Sequence, residues 1–250
     1  MVDNDTRDNS TTHCDLSVCV ITTADDMHRP AFRRMLSSIP RGAELVVLLN
    51  HIGADSPVEH VADDEVDGVV VHLYRCGVEV LSLARLRNEC ARLATRTWCL
   101  WLDSDDVIVS GSIAELVRTA KPSVGAYYMQ CVGMQSIDGS YTSHYSTTQI
   151  RLWRRALGDV WIGYAHEIIN ERIIKSAGYM IAHADVVIHH VGYVCDRQRQ
   201  LERLSRNVLG VMRTLIEIWD SDDELRAHYA RVLAGNLDMY NQLSAEQCRL

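Results

Sequence analysis

The chain has 250 residues, 47% of them hydrophobic and 23% charged, with a formal net charge of −8. That size and balance exclude a disordered chain, a collagen-like repeat and a disulfide-stapled miniprotein. The 33 acidic against 25 basic residues exclude a surface coated with basic charge for wrapping nucleic acid, though not a local basic groove.

In chain order, residues 1–15 are polar and read as a flexible N-terminal tail without the apolar stretch of a signal peptide. Leu16–Thr22 (LSVCVIT) is continuously apolar, as expected of a strand buried on both faces. A helix follows over 29–39, where Ala31, Met35, Leu36 and Ile39 recur at helical spacing. Glu44–Leu49 (ELVVLL) and Gly68–Tyr74 (GVVVHLY) read as strands, separated by a long acidic segment. A helix over 81–96 and a strand at Trp98–Leu102 (WCLWL) come next. Later strands are expected at Tyr127–Met134, Thr148–Trp153 and Val186–His190. From Asp196 the pattern turns helical, with a second helix over 222–243 that packs on the sheet or covers a partner surface.

Alternating strands and helices predict an α/β domain with a mostly parallel sheet over 16–195, followed by a helical extension over 196–250. No apolar run approaches the ~20 residues of a membrane helix. The expectation is therefore a cytoplasmic protein without stable membrane insertion. None of the eight cysteines forms a CxxC pair, and several lie inside apolar runs, so free buried thiols are expected.

Four constellations carry chemistry. Asp103-Ser104-Asp105-Asp106 follows a very apolar strand, and ligands of open α/β sheets bind beyond the carboxyl ends of strands. Crowded carboxylates repel one another unless a cation is present; the alternative is an acidic turn capping the helix after Ser110–Ser112. Arg87 and Asn88, on the preceding helix, either reach a ligand at the same edge or belong to a solvated face. His166-Glu167 is either a positioned general base or an incidental pair. At His189-His190, neighbouring strand residues point to opposite faces, so one histidine can face the site, as a ligand or as a core imidazole. The arginines over 197–213 form either a basic binding face or a solvated helix surface.

In this order the segments resemble family-2 glycosyltransferases with the GT-A fold, the nucleotide-diphospho-sugar transferase arrangement, and within them a SunS-like branch. LSVCVITTADD is similar to the family's first strand and loop. SLARLRNECARLATRTWCLWLDSDDVI is similar to its helix, strand and DxD segment. TQIRLWRRALGDVWIGYAHEII resembles its HE segment, and VIHHVGYVCDRQRQLERLSRNVLGVM its HxGY segment and following helix. Two places depart from the pattern. The first loop reads Thr23-Ala24-Asp25-Asp26 where the family has a KNE-like stretch, and Asn50 ends the second strand where the family has an Asp. The nucleotide base is accordingly left open.

The resemblance implies a nucleotide-diphospho-sugar donor, most often a UDP-sugar, and a Mn²⁺ or Mg²⁺ cofactor. It implies Asp105 and His190 as metal ligands, with Asp103 near the ribose or the water shell of the metal. Arg87 and Arg151 would hold the diphosphate or position the DxD loop. Thr22, Asp25 and Asn50 would line the nucleoside pocket, and Glu167 would be the catalytic base of an inverting transfer to a hydroxyl or thiol. Trp161 and Tyr164 would stack on sugar or acceptor, or simply pack. The acceptor is left open among peptide, glycan, lipid and modified nucleic-acid base, as is the oligomeric state. The alternative from another functional class is a nucleotide-sugar-binding module that has lost catalysis; the presence of Glu167 favours an enzyme. Nucleotidyltransferase and metal-dependent hydrolase readings rank lower: TTADDMHRP lacks the glycine of a phosphate loop, and the ordered HE and HxGY segments do not suggest a hydrolase.

Overall fold

The computed structural model describes residues 14–52, 56–78, 82–137, 140–191, 197–218, 220 and 223–247. Its centre is a nine-stranded sheet in the order β3 (Glu59–Val66), β4 (Val69–Val78), β2 (Glu44–Ile52), β1 (Leu16–Thr22), β5 (Trp98–Trp101), β8 (Ser140–Arg154), β7 (Val124–Ile137), β11 (Met180–His190) and β6 (Asp106–Ser110). The pairs β4–β2, β2–β1, β1–β5 and β7–β11 are parallel, and the others antiparallel. Six strands therefore run one way, and β3, β8 and β6 run the other. The sheet is mostly parallel, as the alternation predicts, with antiparallel strands inserted.

The central strands are apolar throughout because each feeds two cores. Val18, Val20, Leu45, Val47 and Leu100 enter the core on one face, and Cys19, Val46, Leu48, Cys99 and Trp101 enter the core on the other. α2 (Pro30–Ser37) covers the first face through Phe32 and Met35, and α3 (Leu83–Leu93) covers the second through Leu86 and Cys90. Ser82 caps α3 by accepting from the Arg85 amide at 3.3 Å, and Ser112 caps α4 (Ile113–Thr119) in the same way. Two long C-terminal helices, α6 (Arg197–Glu217) and α7 (Asp223–Gln247), form a small third core in which Val211 and Tyr229 close over Ala165.

Three elements differ from the expectations. The acidic segment after Asn50, for which no element is expected, contains a strand: Glu59–Val66 forms an exposed edge strand, its acidic side chains in water. β6 starts directly at Asp106, so the acidic turn leads into a strand before α4. Of the expected tail, Cys14 and Asp15 already belong to the fold: the Cys14 amide donates to the Gly42 carbonyl, and Asp15 Oδ1 accepts from the Thr97 amide at 2.8 Å. The rest of the tail, residues 1–13, lies outside the described residues. Six cysteines are buried free thiols; Cys195 and Cys248 lie outside the described residues. Among the described residues no helix is long and apolar enough to cross a membrane.

Candidate functional site

The site is built at the carboxyl edge of the sheet. β5 leaves its pairing at Trp101, and the next amide, Leu102, still donates to the Cys19 carbonyl of β1. The following turn is closed twice: the Asp106 amide donates to the Asp103 carbonyl at 2.9 Å, and the Asp103 amide donates to Asp106 Oδ2 at 2.8 Å. Asp106 then pairs in register with His190, the last residue of β11. This register brings the DSDD turn beside His190, although 84 positions separate Asp106 and His190 in sequence.

Asp106 is fully buried, and its carboxylate also receives Arg151 Nη1 at 3.3 Å and His190 Nδ1 at 2.9 Å. Asp105 is more open, with Oδ1 3.3 Å from His190 Nδ1. Asp103 accepts from Trp101 Nε1 at 3.0 Å and faces Arg87 at 3.5 Å and Arg151 at 3.6 Å. Beyond Arg87 lies Glu167: Arg87 Nε donates to its Oε1 at 2.6 Å, and Nη2 contacts the same oxygen. Arg87 is further held over the faces of Trp101, at 4.0 Å, and Trp161, at 4.6 Å. One continuous network thus joins Glu167, Arg87, Asp103, Arg151, Asp106, His190 and Asp105.

Charge in this network is uneven. Burial opposes the His190 cation, but the Asp106 hydrogen bond and the surrounding carboxylates outweigh it and push the imidazole up to about 9. Burial, with Asp103 and Asp106 nearby, raises Asp105 to about 6 against the pull of His190. Asp103 goes the other way: burial would raise it, but Arg87 and Arg151 together hold it below the ordinary carboxylate range. Asp103 is therefore neutralised by arginines, while Asp105 is the under-compensated carboxylate.

Donor atoms of Asp103, Asp106 and His190 lie within 4.8 Å of one another, a spacing that one cation could bridge. Two of these three already answer to Arg151, whereas Asp105 answers to His190 alone among the side chains named here. Oxygen donors with one imidazole suit Mn²⁺ or Mg²⁺, and the crowding of carboxylates here is the kind a divalent ion relieves. The residues fit such an ion.

The other predicted site residues fall in three groups. Thr22 and Asn50 end the adjacent strands β1 and β2, and Thr22 Oγ1 and Asn50 Oδ1 are buried without a hydrogen-bond partner among the described residues. Asp25 is exposed in the first turn of α1 (Ala24–Met27). Arg87 and Arg151 are spoken for by carboxylates, so their geometry is that of loop positioning; holding a diphosphate would require breaking these ion pairs. Asn88 stays out of the carboxyl-edge network and lines a separate open cavity with Arg85, Arg213 and Glu217. Its amide is used up by the Trp161 backbone, donating to the carbonyl and accepting from the N–H, each at 3.0 Å. Trp161 packs edge-on against Trp101 and Trp153.

Glu167 and His166 line an open cavity of about 450 Å³, together with Tyr128, Gln149, Glu171 and His228. The Gly163–Glu167 segment is held there by the C-terminal helices. The Tyr164 amide donates to Thr214 Oγ1 at 2.9 Å, and Tyr229 Oη donates to the Ile162 carbonyl at 3.2 Å. His166 takes φ +51°, with Nε2 between Asn207 and Asn236. Sequence reasoning missed Tyr229, Thr214 and Asn236, because nothing local ties them to residues some 50–70 positions earlier. Of the HxGY segment, His190 is placed; Gly192 and Tyr193 lie outside the described residues, as do the side chains of Arg197, Arg199 and Arg203.

No family model and no curated protein sequence matches this chain. Among solved structures it is similar to S. aureus TarS 1–349, at 15% identity and TM-score 0.43 over 89% of this chain and 70% of that one. The same fragment in complex with UDP-GlcNAc gives 15% identity and TM-score 0.42 over 89% and 71%. S. aureus TarS itself gives 15% and 0.44, over 89% of this chain and 42% of that one. This likeness assigns no family and gives the SunS-like branch no support.

Proposed function

We propose that this chain is a metal-dependent, inverting glycosyltransferase of the GT-A kind, moving a sugar from a nucleotide-diphospho-sugar, of the UDP type, to an acceptor hydroxyl or thiol. The observation that carries the reading is the network at the carboxyl edge: a cavity-lining carboxylate, Glu167, is tied through Arg87 to the DSDD turn, where Asp105 and His190 lie 3.3 Å apart. The unpartnered Thr22 and Asn50 oxygens at the ends of β1 and β2 support a polar ligand at the same edge.

In this reading Asp105 and His190 hold the divalent cation, and Asp103 stays by the ribose side. When bound, that cation neutralises charge on the departing diphosphate. Asp106 and Arg151 hold the turn rigid, and Thr22, Asn50 and Asp25 line the nucleoside side. Arg87 takes only Oε1 of Glu167 in its contacts, so Oε2 keeps lone pairs for the acceptor proton. In this reading the acceptor enters from the cavity beside Glu167 and attacks the anomeric carbon on the side away from the diphosphate, as inversion requires. Peptide, glycan, lipid and modified-base acceptors are equally compatible with a hydroxyl or thiol nucleophile.

The experiment is Glu167→Gln, which keeps the shape and removes the basicity. Transfer should fall about 10²–10⁴-fold while binding of UDP-sugar with Mn²⁺ persists. Unchanged turnover in a folded variant would remove Glu167 from the reaction and make His166 or Asp106 the next candidate base, whereas donor binding without any transfer by the unaltered protein would favour the binding-module alternative.

A further inference from the structure

Far from the DSDD turn, the edge hairpin β3–β4 gathers His60, Asp63 and His72. His60 Nε2 and His72 Nδ1 both converge on Asp63 Oδ1, at 2.8 Å and 2.6 Å, and one donor atom from each residue lies within 4.8 Å of the others. In a regular strand His60 and Asp63, three positions apart, would point to opposite faces. A bulge between His60 and Ala62 corrects this. It sets His60 opposite Tyr74 and Asp63 opposite His72, two positions that share a face of β4. The hairpin thus breaks its register at the one point needed to bring the three groups together.

A second carboxylate orients the cluster from below. Glu44 Oε1 lies 3.5 Å from His72 Nε2, the ring nitrogen that faces away from Asp63. Glu44 is itself buried and fixed, accepting from the Thr95 amide and hydroxyl, each at 2.8 Å, and from Ser17. A buried carboxylate behind an imidazole is the arrangement that fixes the tautomer of a metal-bound histidine. With the His72 Nε2 proton turned to Glu44, Nδ1 turns a lone pair toward Asp63 Oδ1. A lone pair of His72 Nδ1 aimed at a carboxylate oxygen 2.6 Å away repels it unless a proton or a cation lies between them.

We propose that His60, Asp63 and His72 form a second, separate metal site, taking a borderline transition ion of the Zn²⁺ type and stapling the acidic edge strand β3 to β4. Two imidazoles and one carboxylate suit Zn²⁺ better than Mg²⁺ or Mn²⁺. The ion would be held by Nε2 of His60, Nδ1 of His72 and Oδ1 of Asp63, and water would complete a tetrahedral shell. The proposal does not depend on the donor site described above.

The test uses tag-free full-length protein carrying Asp105→Ala and His190→Ala, which removes the other imidazole–carboxylate pair. Calorimetric titration with Zn²⁺ should find about one equivalent per chain, and Co²⁺ should give the visible absorption of a nitrogen-ligated ion. Adding His60→Ala, an exposed position that leaves the buried Glu44 contacts intact, should abolish both signals and the Zn²⁺-induced rise in Tm. In otherwise wild-type protein the same change should remove one equivalent. Absence of Zn²⁺ binding in the double variant, or binding undiminished by His60→Ala, would overturn the site and leave a proton-sharing trio only.

Discussion

Glu167 and Asp103 share one counter-ion, Arg87, whose flat guanidinium is clamped by two tryptophan rings. Lysine cannot reproduce both the fork and the stacking, so Arg87→Lys is not a conservative change. Arg87→Ala leaves the Glu167 carboxylate buried without its partner and should cost about 3–5 kcal/mol of stability, read by denaturant unfolding. Arg87→Ala with Glu167→Gln should recover much of that loss, because no charge is then stranded. His190 gives a pH signature. Its folded value of about 9 lies above its ordinary 6.5, so its contribution is complete below 6.5 and disappears as pH rises through 9. Asp105 is raised too, but its window closes near pH 6. The Tm of metal-free protein should therefore decline between pH 6.5 and 9, and His190→Ala should flatten the decline. Affinity for Mn²⁺ should rise over the same range, since the ion must replace the His190 proton.

At the scale of elements, the Gly163–Glu167 segment depends on helices that follow it by dozens of residues. Gly163 takes φ +101°, and a Cβ there would lie 2.3 Å from Tyr229 Oη. On α6, a Cβ at Gly210 would meet the Ala165 Cβ at 2.7 Å, so the helix and the segment touch backbone to backbone. Gly210→Val should push α6 off the segment, costing about 1–3 kcal/mol. Transfer should drop with it, while Mn²⁺ binding at Asp105 and His190, which belong to β11 and the DSDD turn, is retained. Thermal melts and a Mn²⁺ titration on the same protein separate the two effects. A loss of Mn²⁺ binding equal to the loss of transfer would mean that α6 supports the whole site rather than its Glu167 side.

For the whole molecule, the site lies where the sheet and the C-terminal helices meet, so a ligand there should report on global stability. At a hundred times Kd, a bound ligand stabilises by about 2.7 kcal/mol, which for a chain of this size is a rise in Tm of about 5–10 °C. UDP with Mn²⁺ should produce such a rise, EDTA should remove it, and Asp105→Ala should abolish it. An equal rise with EDTA present would refute the metal role.

The amino-acid sequence by itself determined the central strands, the longer helices and the burial of the six described cysteines. Runs such as LSVCVIT and ELVVLL can satisfy two apolar faces only in the middle of a covered sheet. Through the order of its segments and the family resemblance they carry, it also singled out Asp103, Asp105, Glu167 and His190. It did not mark β3, whose side chains are acidic and solvated: an edge strand is held by backbone pairing to β4, which leaves no apolar pattern to read. Nor did it fix what Arg87, Asn88 and Arg151 do. Glu167 lies 80 positions from Arg87, Trp161 lies 73 from Asn88 and Asp106 lies 45 from Arg151, and only the folded sheet brings those groups within hydrogen-bonding range. Burial then decided their role, since a guanidinium removed from water must take the nearest carboxylate, and those carboxylates are the ones that hold the site in place.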